Sequence, residues 1–277
     1  MNHSEGRFAG HKGISLYYQS WLPENTPKAF LVVVHGFGEH SGRYLNLVDY
    51  FLPRGYGVYA VDLRGHGRSE GLRGYSDHFA NFVADLESFG KIVRDFHPAV
   101  PGFLLGHSTG GTIAAAYSIA YPNRFRGMVL SGALLSPPDD VPALTIFAAR
   151  LLSRLAPKTG LYRLDANLIS RDKRVVDAYV SDPLVYWGKV QARMGVELMD
   201  AMADIRRRVS EISLPVLILH GGADRLSDPE GSRRVFGGVS SPDKTIKLYP
   251  GLFHEIFNEP ERNLVFADLD EWLLKHL

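Results

Sequence analysis

Ser108, Asp224 and His254 are the residues of this chain whose types and spacing could do nucleophilic chemistry. Ser108 lies in Gly106-His-Ser-Thr-Gly110, a G-x-S-x-G run. Phe103-Leu-Leu before it reads as a short apolar strand, and Ile113-Ala-Ala-Ala-Tyr117 after it as a small-residue helix. A serine at the apex of such a turn has a strained backbone, so its neighbours two places either side must be nearly featureless. Gly106 and Gly110 meet that need. The helix N-terminus behind the serine would stabilise a developing oxyanion. The pentapeptide alone is a weak signal, since an ordinary glycine-rich loop has the same letters. A base and an acid must be found elsewhere.

In strand–helix alternation the three groups sit on loops after strands, in the order serine, acid, histidine. Asp224 follows the apolar run ending at His220, and His254 follows the run ending at Tyr249. His254 would take the proton of Ser108 and pass it to the leaving alcohol, while Asp224 would fix its tautomer and stabilise the imidazolium. Asp228 is the main rival acid, but it could as well cap a helix beginning near Pro229. Asp62 and Asp139 are further rivals on other loops. With eleven histidines in the chain, a loop histidine means little by itself. His35, His107 and His220, at strand ends, are expected to make structural hydrogen bonds. The oxyanion hole would use the N–H of Thr109 and, from His35-Gly-Phe-Gly38, that of Phe37. A plain tight turn is the other reading of that loop. Glu39 and Arg43, four apart, could pair beside the site or stand solvated.

The elements that must position these groups alternate along the chain. Residues 8–9 and 14–21 suggest an antiparallel hairpin around Gly13. Ala29-Phe-Leu-Val-Val-Val34 is a continuous apolar, largely β-branched run, the mark of a strand covered on both faces. Strands are expected near 57–62, 103–105, 127–131, 214–220 and 244–249, with helices near 79–96, 229–236 and 261–274. The spacing of Phe79, Phe82, Val83, Leu86, Phe89, Ile92, Val93 and Phe96 is helical, with a broad buried face. Residues 137–203 break the alternation with several helix-like pieces and no convincing strand. They read as an insertion over the carboxyl ends of the strands, splitting a core of residues 1–136 and 204–277. The pattern implies a mainly parallel α/β sheet with helices on both faces and ligands at the carboxyl ends of its strands.

Composition excludes several classes. A net charge of +1 gives no case for nucleic acid. The absence of cysteine rules out disulfides, thiolate metal sites and a cysteine nucleophile. No secretory signal is visible at the start, and no apolar run approaches the ~20 residues of a membrane span. A cytoplasmic protein that can sit peripherally on a membrane is the expectation, and no metal or cofactor is expected.

Taken together, His35-Gly-Phe-Gly-Glu-His-Ser-Gly-Arg-Tyr44, Asp62-Leu-Arg-Gly-His-Gly-Arg-Ser-Glu-Gly71, Gly106-His-Ser-Thr-Gly110, Ser181-Asp-Pro-Leu184, Ala223-Asp-Arg225 and Tyr249-Pro-Gly-Leu-Phe-His-Glu255 resemble the monoacylglycerol lipase group of α/β-hydrolases. The likeness runs over nearly the whole chain in the same order. It implies an eight-stranded sheet, a helical cap near 137–203, the triad Ser108, Asp224 and His254, and hydrolysis of monoacylglycerols or similar single-chain lipid esters. Lysophospholipase or broad carboxylesterase activity lies close by. Two departures stand out: Thr109 where many members carry Met, and Phe37 where many have a small or aliphatic residue. The expected substrate contacts are Phe37, Leu134, Leu144, Phe147 and Leu198. A catalytically silent scaffold binding an apolar ligand is the non-enzyme alternative, although such scaffolds typically lack a triad member.

Within the insertion, Leu144, Phe147, Ala148, Leu151 and Leu155 recur at helical spacing, with Arg150, Ser153 and Arg154 on the other side. Asp139, Asp140 and Pro142 would start that helix and Pro157 stop it. The apolar face is expected to cover the active site. A plain lid is one reading of this helix; in the other, Ile146 and Leu152, flanking that face, turn outward and rest on a lipid surface with Arg150 and Arg154 near the head groups.

Overall fold

The computed structural model describes residues 2–136 and 143–277. In chain order the elements are β1 (Asn2–Ala9), β2 (Ser15–Leu22), β3 (Ala29–Val34), α1 (Leu45–Phe51), β4 (Tyr56–Val61), α2 (Ala80–Phe96), β5 (Gly102–His107), α3 (Thr109–Ala120) and β6 (Gly127–Ser131). There follow α4 (Ala143–Leu155), β7 (Gly160–Tyr162), α5 (Lys173–Ser181), β8 (Val190–Gln191), α6 (Ala192–Arg208), β9 (Val216–Gly221), α7 (Pro229–Gly238), β10 (Lys244–Tyr249) and α8 (Arg262–Leu274).

Eight strands form one sheet in the order β1-β2-β4-β3-β5-β6-β9-β10. Only β2 runs against its neighbours, so the sheet is mainly parallel. This is the α/β-hydrolase architecture. The continuous apolar strands follow from the two-residue period of β structure, which sends alternate residues to opposite faces. In β3, Phe30, Val32 and Val34 enter one core, with α2 and α3 residues such as Phe82, Leu86 and Ile113. Ala29, Leu31 and Val33 enter the other, with Val48 and Phe51 of α1 and Phe266 and Leu269 of α8. Both faces being covered, neither can carry polar residues.

The order reverses at β3, which pairs with β4 on one side and β5 on the other. The loops leaving β3 and β5 therefore diverge and open a crevice at the carboxyl ends of the strands, where open α/β sheets hold ligands. Those two loops carry Phe37 and Ser108.

The segment between β6 and β9 departs from the sequence expectation in three ways. First, it contains a two-stranded antiparallel pair, β7 with β8; strands of two and three residues are too short to leave a periodic signal. Second, α6 packs against α3 as well as α4, and its Met194, Leu198 and Ile205 are buried in the sheet's first core. The sequence reading had placed α6 as far as residue 203 in the insertion. Third, α4 is turned the other way. Leu144 and Phe147 are 77% and 65% exposed, and Leu151 and Leu155 are also exposed. Ser153 is buried, while Ile146 and Leu152 are half-buried. The small Ala149 and Ser153 share the inner side with Ile146 and Leu152, which lets α4 close against α6. The Arg150–Asp200 ion pair ties the two helices along their edge. The residues expected to start α4, Asp139, Asp140 and Pro142, lie outside the described residues. Among those described, no helix is long and apolar enough to cross a membrane.

Candidate active site

Ser108 follows β5 and caps the start of α3 with φ 53° and ψ −120°, a region most side chains avoid at a cost of about 1–3 kcal/mol. The flanking glycines make this turn possible. A Cβ on Gly106 would lie 2.4 Å from the carbonyl oxygen of Gly110, and one on Gly110 would lie 2.0 Å from that of Val34. The Ser108 carbonyl accepts from Gly111 and Thr112 N–H at 2.9 and 3.3 Å. The N–H groups of Thr109 and Gly110, at the start of α3, are left without partners inside the helix.

The loop after β3 lies against the serine: a Cβ on Gly36 would approach Ser108 Cβ to 2.9 Å. Its shape is held from both sides. His35 Nδ1–H donates to Gly36 O at 2.7 Å while its Nε2 accepts from Leu63 N–H at 2.9 Å. Burial pushes the His35 imidazole down to about 3, so it stays neutral in this role. Gly36 N–H donates to Glu39 Oε1 at 2.5 Å, and Gly38, at φ 86°, turns its carbonyl to Tyr186 N–H at 2.7 Å. Phe37 packs edge-on against His66 and Tyr186.

The loops after β9 and β10 bring the acid to the histidine. His254 Nδ1–H donates to Asp224 Oδ2 at 2.8 Å, and the carboxylate is fully buried. Its other oxygen accepts Leu226 N–H and Ser227 N–H at 2.8 and 3.1 Å. Burial opposes ionisation of Asp224, but the adjoining His254 and His220 hold it well below the usual carboxylate range. Burial likewise opposes the His254 imidazolium. The charge and hydrogen bond of Asp224, with Glu255 and Glu39 beyond, outweigh it and raise His254 above its ordinary value. Asp228, the rival acid, accepts from Glu230 N–H at 2.9 Å and caps α7. Asp62 is taken up by Ser41 N–H and Arg68 N–H at 2.7 and 2.8 Å. Asp139 lies outside the described residues.

Ser108 and His254 line one cavity together with Gly36, Phe37, His107 and Glu39. Leu164, Ala166, Ile169 and Trp187 roof it with apolar surface, and Leu226 adds to it from the loop after β9. Its volume is about 30 Å³, narrow beside the ~300–1,000 Å³ of ordinary ligand pockets. Of the expected substrate contacts, Phe37 lines the cavity. Leu144 and Phe147 face solvent on α4, Leu198 is in the core beneath α6, and Leu134 is half-buried beyond the lining. Most of the remaining apolar lining comes from the loops either side of α5, around Leu164 to Ile169 and at Trp187, where short irregular segments give no periodicity to read.

The Glu39–Arg43 pair is present at 3.6 Å, but Arg43 meets Glu255 more closely, at 2.6 Å. Glu255 was not singled out from sequence, since nothing local ties it to a residue 212 positions away. Burial and the Glu255 charge push the Glu39 carboxyl upward. Two tethers bind the roof to these loops. Glu255 N–H donates to Ile169 O at 2.7 Å, and the buried Glu259 accepts from Ser170 Oγ at 2.6 Å and Arg171 N–H at 2.7 Å. On the other side, Asp182 meets His40 at 2.9 Å and Arg73 donates to Leu184 O at 2.6 Å.

Comparison with known proteins extends these observations. A family model described as serine aminopeptidase, S33, matches residues 25–261. The monoacylglycerol lipase of Mycolicibacterium smegmatis is 40% identical over 274 residues, covering 99% of this chain and 98% of its own. The crystal structure of Paleococcus ferrophilus monoacylglycerol lipase matches with TM-score 0.81 and 35% identity, over 95% of this chain and 99% of that one. A soluble variant of Saccharomyces cerevisiae monoglyceride lipase, in complex with a substrate analogue, matches with TM-score 0.88 and 28% identity, over 100% and 95%.

Proposed function

The chain belongs to the monoacylglycerol lipase group of the α/β-hydrolase superfamily, and from that premise we propose that it hydrolyses monoacylglycerols to fatty acid and glycerol through an acyl-enzyme on Ser108. The observation that carries the reading is the Asp224–His254 hydrogen bond opening onto the same apolar-roofed cavity as Ser108. His254 takes the Ser108 proton as the oxygen attacks the ester carbonyl. The N–H groups of Phe37 and Thr109 receive the oxyanion, and the imidazolium, stabilised by Asp224, then protonates the departing glycerol. A water activated by the same histidine releases the fatty acid. An aminopeptidase would need a free carboxylate for the substrate's ammonium. Glu39 and Glu255 both face Arg43 instead.

The substrate arrives from a lipid surface. The outward apolar face of α4, Leu144, Phe147, Leu151 and Leu155, supports this reading, because such a face beside Arg154 suits the interface between acyl chains and head groups. Its docking face is thus the one that sequence had turned inward.

Ser108→Ala tests the catalytic reading. Loss of the nucleophile should remove turnover by roughly a millionfold and abolish fluorophosphonate labelling with the fold intact. Retention of a few per cent of activity would remove Ser108 from the role.

A further inference from the structure

Asp224 holds two imidazoles on one oxygen. His220, the penultimate residue of β9, has no exposed surface. Its Nε2 lies 3.1 Å from Asp224 Oδ2, the oxygen that also accepts from His254. The same Nε2 is 3.2 Å from the carbonyl oxygen of Ser227. A carboxylate and a carbonyl only accept, so Nε2 must carry the hydrogen. Nδ1 lies 2.7 Å from Ser232 Oγ, on α7, which fixes the ring from behind. Ser227 Oγ, 2.8 Å from both Asp224 Oδ2 and Gly132 O, is a further donor beside the acid.

We propose that His220 is a positioning residue for the reaction, whose Nε2–H holds the Asp224 carboxylate in register and limits how strongly it raises the basicity of His254. The inference rests on the triad reading above. Each donor on Oδ2 withdraws negative charge from the bond to His254. With His220 removed, the carboxylate would keep its backbone donors but face His254 with more charge, and it would be freer to rotate. The imidazolium would then be stabilised too far, and a larger share of the enzyme would sit protonated at neutral pH. The other groups facing His254 stay in place: Ser227 at 3.2 Å from Nδ1, the His107 ring at 4.7 Å between centroids, and the charges of Glu255 and Glu39. Only the Asp224 side of the balance changes.

Two variants separate this role from packing. His220→Gln places an amide N–H where Nε2 stands. The shorter His220→Asn reaches Ser232 but not Asp224. With a short soluble ester, His220→Gln should keep kcat within ~3-fold and leave the pH midpoint of kcat/KM in place. His220→Asn should lower kcat about tenfold or more at unchanged KM, and move the midpoint upward by roughly half to one pH unit. The direction follows because His254 must be neutral to act as base. Equal behaviour of the two variants, or an unmoved midpoint in His220→Asn, overturns the inference. If His220→Asn fails to fold, the ring-nitrogen NMR signals of the wild-type protein decide. A hydrogen on His220 Nε2 is expected across the active pH range, and an Nδ1–H tautomer with bare Nε2 overturns it. Asp224→Asn is the companion arm. Full activity there sinks the triad reading itself, whereas lost activity there with a wild-type-like His220→Asn sinks only the role given to His220.

Discussion

Gly110→Ala is the sharpest mechanical test of the site. The added methyl would stand 2.0 Å from Val34 O and 2.5 Å from His35 O, where ordinary contact begins near 3.4 Å. Both obstacles are main chain, one at the end of β3 and one at the start of the Phe37 loop, so no side chain can swing aside. A gap of about 1.4 Å must open between the helix that carries Thr109 and the loop that carries Phe37. These are the two sides of the oxyanion hole. A misplacement of ~1 Å costs on the order of 10²-fold in rate, and overpacking of this kind costs about 1–3 kcal/mol of stability. The assay is kcat on a short soluble ester, with fluorophosphonate labelling counting competent sites and thermal melting reporting the fold. Gly237→Ala is the control. Its Cβ would meet nothing within 4 Å, in the last turn of α7, so it should keep full activity and gain up to about 0.5–1 kcal/mol. A Gly110→Ala enzyme within ~3-fold of wild type would refute the account of the turn.

The remaining predictions concern the acid, the base and the surface. Asp224→Asn should lower turnover by about 10⁴, whereas Asp228→Asn, which preserves the helix cap, should leave it unchanged; kcat for both on one ester decides, and the reverse ranking would move the triad acid to Asp228. Because His254 is raised by its partners despite burial, kcat/KM should climb with pH through a midpoint above ~6.5; a flat profile from pH 5 to 8 would rule out a titrating base. Leu144→Ser with Phe147→Ser should weaken vesicle binding by tenfold or more, since each inserted side chain contributes about 1.5–3 kcal/mol. Hydrolysis of dispersed long-chain monoacylglycerol should fall while a short soluble ester is spared. Equal loss on both substrates would reduce α4 to a packing element.

Much of this was legible in the chain because strand burial writes itself into runs of residues. Ala29 to Val34 and Lys244 to Tyr249 read as strands with their observed limits, and the glycines around Ser108 marked the turn. The order of the loops brought Asp224 and His254 forward, and the competing use of Asp228 as a cap was also readable. What escaped has one physical cause. Periodicity reports that a helix has two faces, not which one meets the protein. In α4 both faces are apolar, and the choice was made by Ala149 and Ser153 allowing close approach to α6. The partners of Arg43 and Asp224 depend on residues brought together by the sheet. Glu255 offered no local sign beyond standing next to His254, and His220 was readable as a strand-end histidine with structural hydrogen bonds but not as a partner of Asp224.

The tethers of the roof set the terms on which specificity can change. Residues 166–187 are fastened at one end to the backbone that carries His254 and at the other to the loop that carries Phe37. Exchanging that stretch for a relative's would rewire the chemistry along with the pocket. Residues 143–165 share none of these hydrogen bonds with the catalytic loops and hold on through α6 and the β7–β8 pair. They form a replaceable module. Substrate preference can drift there in small steps, each one tolerated by an unchanged catalytic centre, and a designer wishing to alter the lipid this enzyme meets would begin with them.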